Sequence, residues 1–273
     1  MRLVSSEPSR LRTWLSPERP VAVITDPRER RTVVIELLIV FSMTLGLRGL
    51  QSLVSLLDSL LRPEALADQQ AQLNVPQAQL NLLDLIAQLL SVVQLVAWGA
   101  LGLYLLWRAG LRLSAVGLHR PDRTDALGGA GLAALIGLPG LGLYFVARAV
   151  GANLTVVPSS LDDTWWRPVV LILAAIGNSW AEELLVVGYL ISRLRQLGIG
   201  ENASLLTSSV LRGSYHLYQG FGGFVGNVVM GLVFGRIWQR TNRLWPLVIA
   251  HALLDVVAFV GYALLRDHVS WLP

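Results

Sequence analysis

Seven apolar stretches follow a polar start, at roughly 32–61, 80–107, 126–149, 167–192, 202–218, 221–239 and 244–265. Ala126–Ala147 and Gly213–Gly235 contain no Asp, Glu, Lys or Arg. At 1.5 Å per residue each can cross a hydrocarbon core ~30 Å thick. A water-soluble fold has no use for several such runs. The pattern predicts an all-α polytopic transmembrane bundle of about seven spans, or as many as eight helices. The first stretch is impure, carrying Glu36, Arg48 and Asp58, and the fifth is short, ending at Gln219-Gly220-Phe221-Gly222-Gly223.

Three regions follow: a polar tail at 1–31, a transmembrane domain at 32–265 and a short C-terminal tail at 266–273. The first tail holds seven arginines, four acids and Pro8, Pro17, Pro20 and Pro27, with no apolar core of the signal-peptide kind. The linker from Arg62 to Gln79 is polar enough to be an exposed helix or loop. Gly226, Gly231 and Gly235 on the sixth stretch are read as sites of close helix contact. Glu36, Arg48 and Asp84 are read as packing or snorkelling residues.

Composition agrees with the pattern. Hydrophobic residues make up 53% of the chain and charged residues 15%, where soluble domains carry about 25% charged. The mean hydropathy is +0.55. With no cysteine, disulfides, thiolate metal sites and a cysteine nucleophile are excluded. The net charge of +4 resides in arginines between apolar runs, so it points to membrane orientation rather than to nucleic acid. With the N-terminus inside, 16 of the 22 arginines fall in the cytoplasm and four outside. Arginine without any lysine, together with Ala, Leu, Gly and Val richness, suggests a bacterial source, and hence an inner-membrane protein with a cytoplasmic N-terminus. Asn153-Leu154-Thr155 matches a glycosylation sequon, which is uninformative in that setting.

Ionisable residues inside spans are expensive and mark function by default. Glu182 and Glu183 lie along the fourth stretch, Arg212 and His216 on the fifth, and His251 and Asp255 on the seventh. Arg212/His216 and His251/Asp255 are each four apart, so each pair shares a helix face. Adjacent glutamates diverge by about 100°; Asn178, four before Glu182, favours Glu182 as the one facing a polar cavity. Helix rise places these groups at compatible depths, in one buried site reached from the cytoplasm. A buried carboxylate acting on water, with histidines to shuttle protons, stabilise an oxyanion or bind metal, is chemistry suited to peptide hydrolysis. Glu182, His216, His251 and Asp255 could together hold a divalent cation such as zinc. The blander reading makes each histidine a partner for a neighbouring helix carbonyl, and Arg212 a structural counter-ion.

Glu182-Glu183-Leu184-Leu185-Val186-Val187-Gly188, then His216, then Leu244-Trp245-Pro246 leading to His251 and Asp255, resemble the CPBP (Abi, or type II CAAX prenyl endopeptidase) family of intramembrane proteases. The resemblance covers about 166–265. Its motifs are Glu-Glu-x-x-x-Arg, Phe-x-x-x-His and His-x-x-x-Asn/Asp on successive membrane helices. The resemblance implies Glu182 as general base, Glu183 as the second glutamate, His216 as the histidine that shares the water or metal, and His251 with Asp255 in oxyanion stabilisation or ligation. It also implies a membrane-associated protein or peptide as substrate. Two positions depart from the pattern: the motif arginine is Val187 and the motif phenylalanine is Arg212. A cation moved from one helix to the next, paired with Glu183, would reconcile them. Two other readings remain: a non-catalytic relative with an immunity or partner-binding role, and a proton-coupled transporter.

Overall fold

A computed structural model describes residues 21–266 and His268; the rest of the two expected tails lies outside the described residues. Eight helices are seen among them: α1 (Pro27–Met43), α2 (Leu45–Leu61), α3 (Asn81–Arg108), α4 (Arg123–Ala149), α5 (Arg167–Gln196), α6 (Glu201–Ser214), α7 (Phe221–Thr241) and α8 (Trp245–Leu265). Local chemistry sets several starts. Asp26 caps α1 by accepting from the Glu29 amide at 3.0 Å, with Pro27 as the first helical residue. The helix therefore begins inside what the sequence suggests is tail. Asp122 and Asp125 form a reciprocal capping box at α4, and prolines sit in the first turns of α5 and α8.

Five helices (α3, α4, α5, α7 and α8) are long and apolar enough to cross a membrane, and a sixth span exists if α1 and α2, bent by 50°, count as one. The fifth expected span differs. Its helix, α6, has 14 residues, about 21 Å of rise and short of a ~30 Å core. The chain leaves the helix at Tyr215 and continues through a 3-10 turn, Leu217–Gln219, to Gly220. Gly220 has φ +108° and bridges to Asn153, a backbone that favours glycine.

Two short strands stand at that end of the bundle. The linker expected as helix or loop contains β1 (Gln70–Asn74), which pairs in parallel with β2 (Thr155–Ser159), Gln70 opposite Thr155. Polar residues with few charges suggest a loop by composition; the strand forms because β2, 85 positions away, supplies its ladder. Asn153 of the sequon is 1% exposed. Its Oδ1 accepts from the Gly223 amide at 3.0 Å and its Nδ2 donates to the Leu154 carbonyl, so its role is to fasten the α6–α7 turn to the sheet.

The centre of the bundle is the second half of α5. Every residue from Glu183 to Ile191 is buried, and this stretch is π-helical, a widened turn common at functional sites. Leu106, Phe234, Trp238 and Leu247 pack around it from α3, α7 and α8, with Leu244 just before α8. Gly231 and Gly235 admit α6 closely, since a Cβ at either would stand 2.9 Å from Ser209 or 2.4 Å from Leu205. The outer helices instead present Leu38, Leu50, Val54, Leu90 and Leu138 on their surfaces, as a lipid-facing shell requires.

Polar clamps tie the bundle together. Glu36 accepts from Tyr189 Oη at 2.8 Å and from Arg193 Nε at 3.0 Å, which makes it a partner for α5 rather than a snorkelling residue. Arg48 lies over the Trp98 ring, while Asp84 is buried and accepts from the Gln77 amide and Gln88. At the end opposite the sheet, Arg243 contacts Asp122 at 2.6 Å and Asp125 at 2.8 Å. The Asp125 amide and this guanidinium hold the Asp122 carboxyl below the ordinary carboxylate range.

Candidate active site

Glu182 and Glu183 fall halfway along α5, where the α-helix gives way to the π-helical stretch. Neither side chain meets bulk solvent, with exposures of 3% and 0%. Such carboxylates need partners, and the two find different ones.

Glu183 faces α6 and α8. Arg212 Nη2 donates to its Oε1 at 2.6 Å, both side chains being fully buried, and the guanidinium also lies 5.7 Å from the Phe234 ring centroid. Arg212 thus supplies from α6 the cation that Val187 cannot supply from α5. His251 Nδ1 lies 2.8 Å from the same oxygen. With its hydrogen on Nδ1, His251 donates to the oxygen that already accepts from Arg212. The ring is then fixed with Nε2 toward Asp255 Oδ2, 3.7 Å away and beyond a hydrogen bond. Asp255 is anchored by Asn178 Nδ2 at 3.0 Å.

Glu182 turns to a residue that the sequence reading did not single out. Tyr215 Oη donates to its Oε2 at 2.6 Å. The signal was present but faint: Tyr215 immediately precedes His216 on a stretch facing a buried carboxylate, and a buried tyrosine hydroxyl seeks a partner. His216 itself sits where α6 ends, its Nδ1 3.4 Å from Gln219 Nε2. Its Nε2 is buried and has no protein partner among the described residues; neither do Glu183 Oε2, Arg212 Nε and Arg212 Nη1.

His251 bonds Glu183, and Asn178, on the face of Glu182 by helical phase, bonds Asp255. The expected single cluster is a chain, Asn178–Asp255 beside His251–Glu183–Arg212, next to a Glu182–Tyr215 pair. His216 lies within one 3-10 turn of Gly220, toward the sheet-bearing end, while His251 lies six residues into α8 from the arginine-rich end.

Among the described residues, no three of Glu182, Glu183, His216, His251 and Asp255 bring ligand atoms all within 4.8 Å of one another. A zinc ion bound at about 2.0–2.2 Å draws its ligands closer than that, so these positions do not fit a preformed metal site. His119, Asp122 and Asp125 do meet the 4.8 Å limit, but the Arg243 guanidinium already supplies their cation.

Residues 164–257 match the family described as Type II CAAX prenyl endopeptidase Rce1-like. The matched region contains α5, α6, α7 and most of α8, and with them every residue of the candidate site. No curated protein and no solved structure compared with the chain gave a match.

Proposed function

Residues 164–257 belong to the type II CAAX prenyl endopeptidase Rce1-like family, and we propose that the chain, a CAAX-protease-like multi-pass membrane protein, is an intramembrane endopeptidase. Its substrate is a membrane-associated protein or peptide. The observation that carries this reading is the buried Glu182 carboxylate, one oxygen of which is held by Tyr215. Buried polar atoms without protein partners at His216 Nε2, Arg212 and Glu183 favour ordered water in the same place.

In this reading Glu182 takes a proton from a water whose oxygen attacks the peptide carbonyl carbon. The tetrahedral oxyanion is stabilised by the Nε2–H of His216, the imidazole nitrogen left without a protein partner among the described residues. Its collapse breaks the C–N bond, and Glu182 returns its proton to the departing amine. Arg212 and Asp255 act at one remove by fixing His251 through Glu183 and by facing its Nε2. No step requires a metal. The Arg212–Glu183 pair supports this reading over a decayed, non-catalytic relative, since the departure at Val187 is offset on the neighbouring helix. The arginine bias further favours a bacterial inner membrane with the N-terminus in the cytoplasm.

The test is cleavage of a membrane-anchored peptide in liposomes by wild type and Glu182→Gln. Loss of ~10²–10⁴ in rate is expected for removal of a positioned base, with expression and detergent stability retained. Equal rates would refute the assignment.

A further inference from the structure

Three side chains gather around the ring of His216. Two are tyrosines: Tyr215, with ring centroids 4.9 Å apart, and Tyr218, at 6.5 Å with the ring planes 23° apart. The third is Gln219, whose Nε2 lies 3.4 Å from His216 Nδ1. The tyrosine rings restrain the plane of the imidazole but do not decide which nitrogen carries its hydrogen. In the neutral ring one nitrogen donates and the other accepts, and the partner of one decides the state of the other.

Gln219 is itself fixed at both backbone groups. Its amide donates to the His216 carbonyl at 3.0 Å, closing the 3-10 turn, and its carbonyl accepts from the Leu154 amide at 2.9 Å. Gly223 leaves room for its side chain, since a Cβ there would stand 2.8 Å from Gln219 Cβ and 3.1 Å from its Oε1. The Nε2 of a glutamine carries two hydrogens, and this one has two neighbours, His216 Nδ1 and Tyr218 Oη, the latter at 3.0 Å. Both neighbours can accept, so this orientation of the amide uses both hydrogens. The reverse orientation would require ring and phenol to donate together to Oε1. It would also leave His216 Nε2 as a bare lone pair, buried and without a protein partner among the described residues.

We propose that Gln219 is a positioning residue that sets the tautomer of His216: its amide donates to Nδ1, which places the imidazole hydrogen on Nε2. The tautomer follows from the contact alone; its use in catalysis rests on the endopeptidase reading, in which the Nε2–H meets the developing oxyanion. The other tautomer would turn a lone pair toward that negative charge and repel it. Gln219 acts through His216 and has no need to touch the substrate. One residue thereby closes the turn that ends α6, ties it to β2 and directs the hydrogen of the histidine on that turn.

The test is the nitrogen NMR spectrum of the full chain, isotope-labelled at histidine, above about pH 8, where a histidine of ordinary pKa is neutral. The His216 signals are those missing from His216→Ala. Wild type should show a bare Nδ1 and a hydrogen on Nε2. Gln219→Leu, close in volume but without a donor, should lose this preference, its signals averaging between the two tautomers. Its kcat for a liposome-borne peptide should fall roughly tenfold or more while KM stays within twofold. A hydrogen on Nδ1 in wild type overturns the proposal with no variant needed. A Gln219→Leu protein that keeps the wild-type tautomer overturns it too, even if activity falls, because the glutamine would then serve only the turn. A wild type with its hydrogen on Nε2 that cleaves no membrane-anchored peptide would uphold the tautomer and refute the endopeptidase reading.

Discussion

Arg212 on α6 and Glu183 on α5 form an ion pair of 2.6 Å with both side chains at zero exposure. The same Glu183 oxygen accepts from His251 on α8, so one carboxylate joins three helices. Breaking such a pair strands a buried charge, typically at 3–5 kcal/mol. Arg212→Phe should show a loss of that size in detergent unfolding. Val187 lies one turn beyond Glu183 and is fully buried. Adding Val187→Arg to Arg212→Phe should recover most of the loss by returning the cation to α5. A double variant no more stable than the single one would show that the two positions are not exchangeable.

A second expectation concerns Tyr215. Its hydroxyl holds Glu182 Oε2 and is buried with it, so Tyr215→Phe removes one charge-assisted hydrogen bond, worth about 1.5–3 kcal/mol. If the bond orients the carboxylate for attack on water, kcat for a liposome-borne peptide should fall roughly 10–100-fold while KM stays within twofold. A change confined to KM would place Tyr215 in substrate binding instead.

Chelation provides a third test. The histidines and carboxylates of α5, α6 and α8 do not bring three ligand atoms within 4.8 Å of one another, whereas a metal enzyme arranges its ligands and their supporting bonds in advance. Extended dialysis against a chelator should leave turnover within twofold. Loss of activity that zinc restores would show that these side chains regroup around an ion.

What the sequence disclosed and what it withheld follow from range. The long apolar runs and the span-embedded Glu182, Glu183, Arg212, His216, His251 and Asp255 could be read from composition and helical spacing, and the displaced arginine from the resemblance to the protease family's motifs. Those are local periodicities, and membrane burial enforces them. The sheet could not be read, because Gln70–Asn74 becomes a strand only through pairing with Thr155–Ser159. Nor could the length of α6: nothing in Gly213-Ser214-Tyr215-His216 prohibits another helical turn, and the break is stabilised by contacts to Asn153 and to Ser52, whose Oγ accepts from the Tyr218 amide at 2.6 Å. Which glutamate met His251 was equally out of reach. Asn178 pointed to Glu182 by helical phase, yet Asn178 bonds across to α8, and the π-helical stretch beginning at Glu183 alters the phase that an ideal helix would keep.

That break leads to the last expectation. His216 stands at the end of α6, and its position depends on the turn that follows. The turn is held from outside by Asn153, whose Oδ1 accepts from the Gly223 amide and whose backbone pairs with Gly220. Asn153→Ala leaves the part-buried Gly223 amide without its acceptor, a loss of about 1 kcal/mol. The Asn153 side chain touches none of the glutamates or histidines of the site, so any effect on turnover must travel through the turn. Because α5 and α8 position Glu183 and His251 independently, their pair should survive while His216 loses its fixed placement. The expected result is a modest fall in unfolding stability with a fall in kcat of roughly tenfold or more, and a histidine NMR spectrum in which the His216 resonance broadens and that of His251 does not. A spectrum in which both resonances broaden would mean that Asn153 supports the whole bundle end rather than the turn.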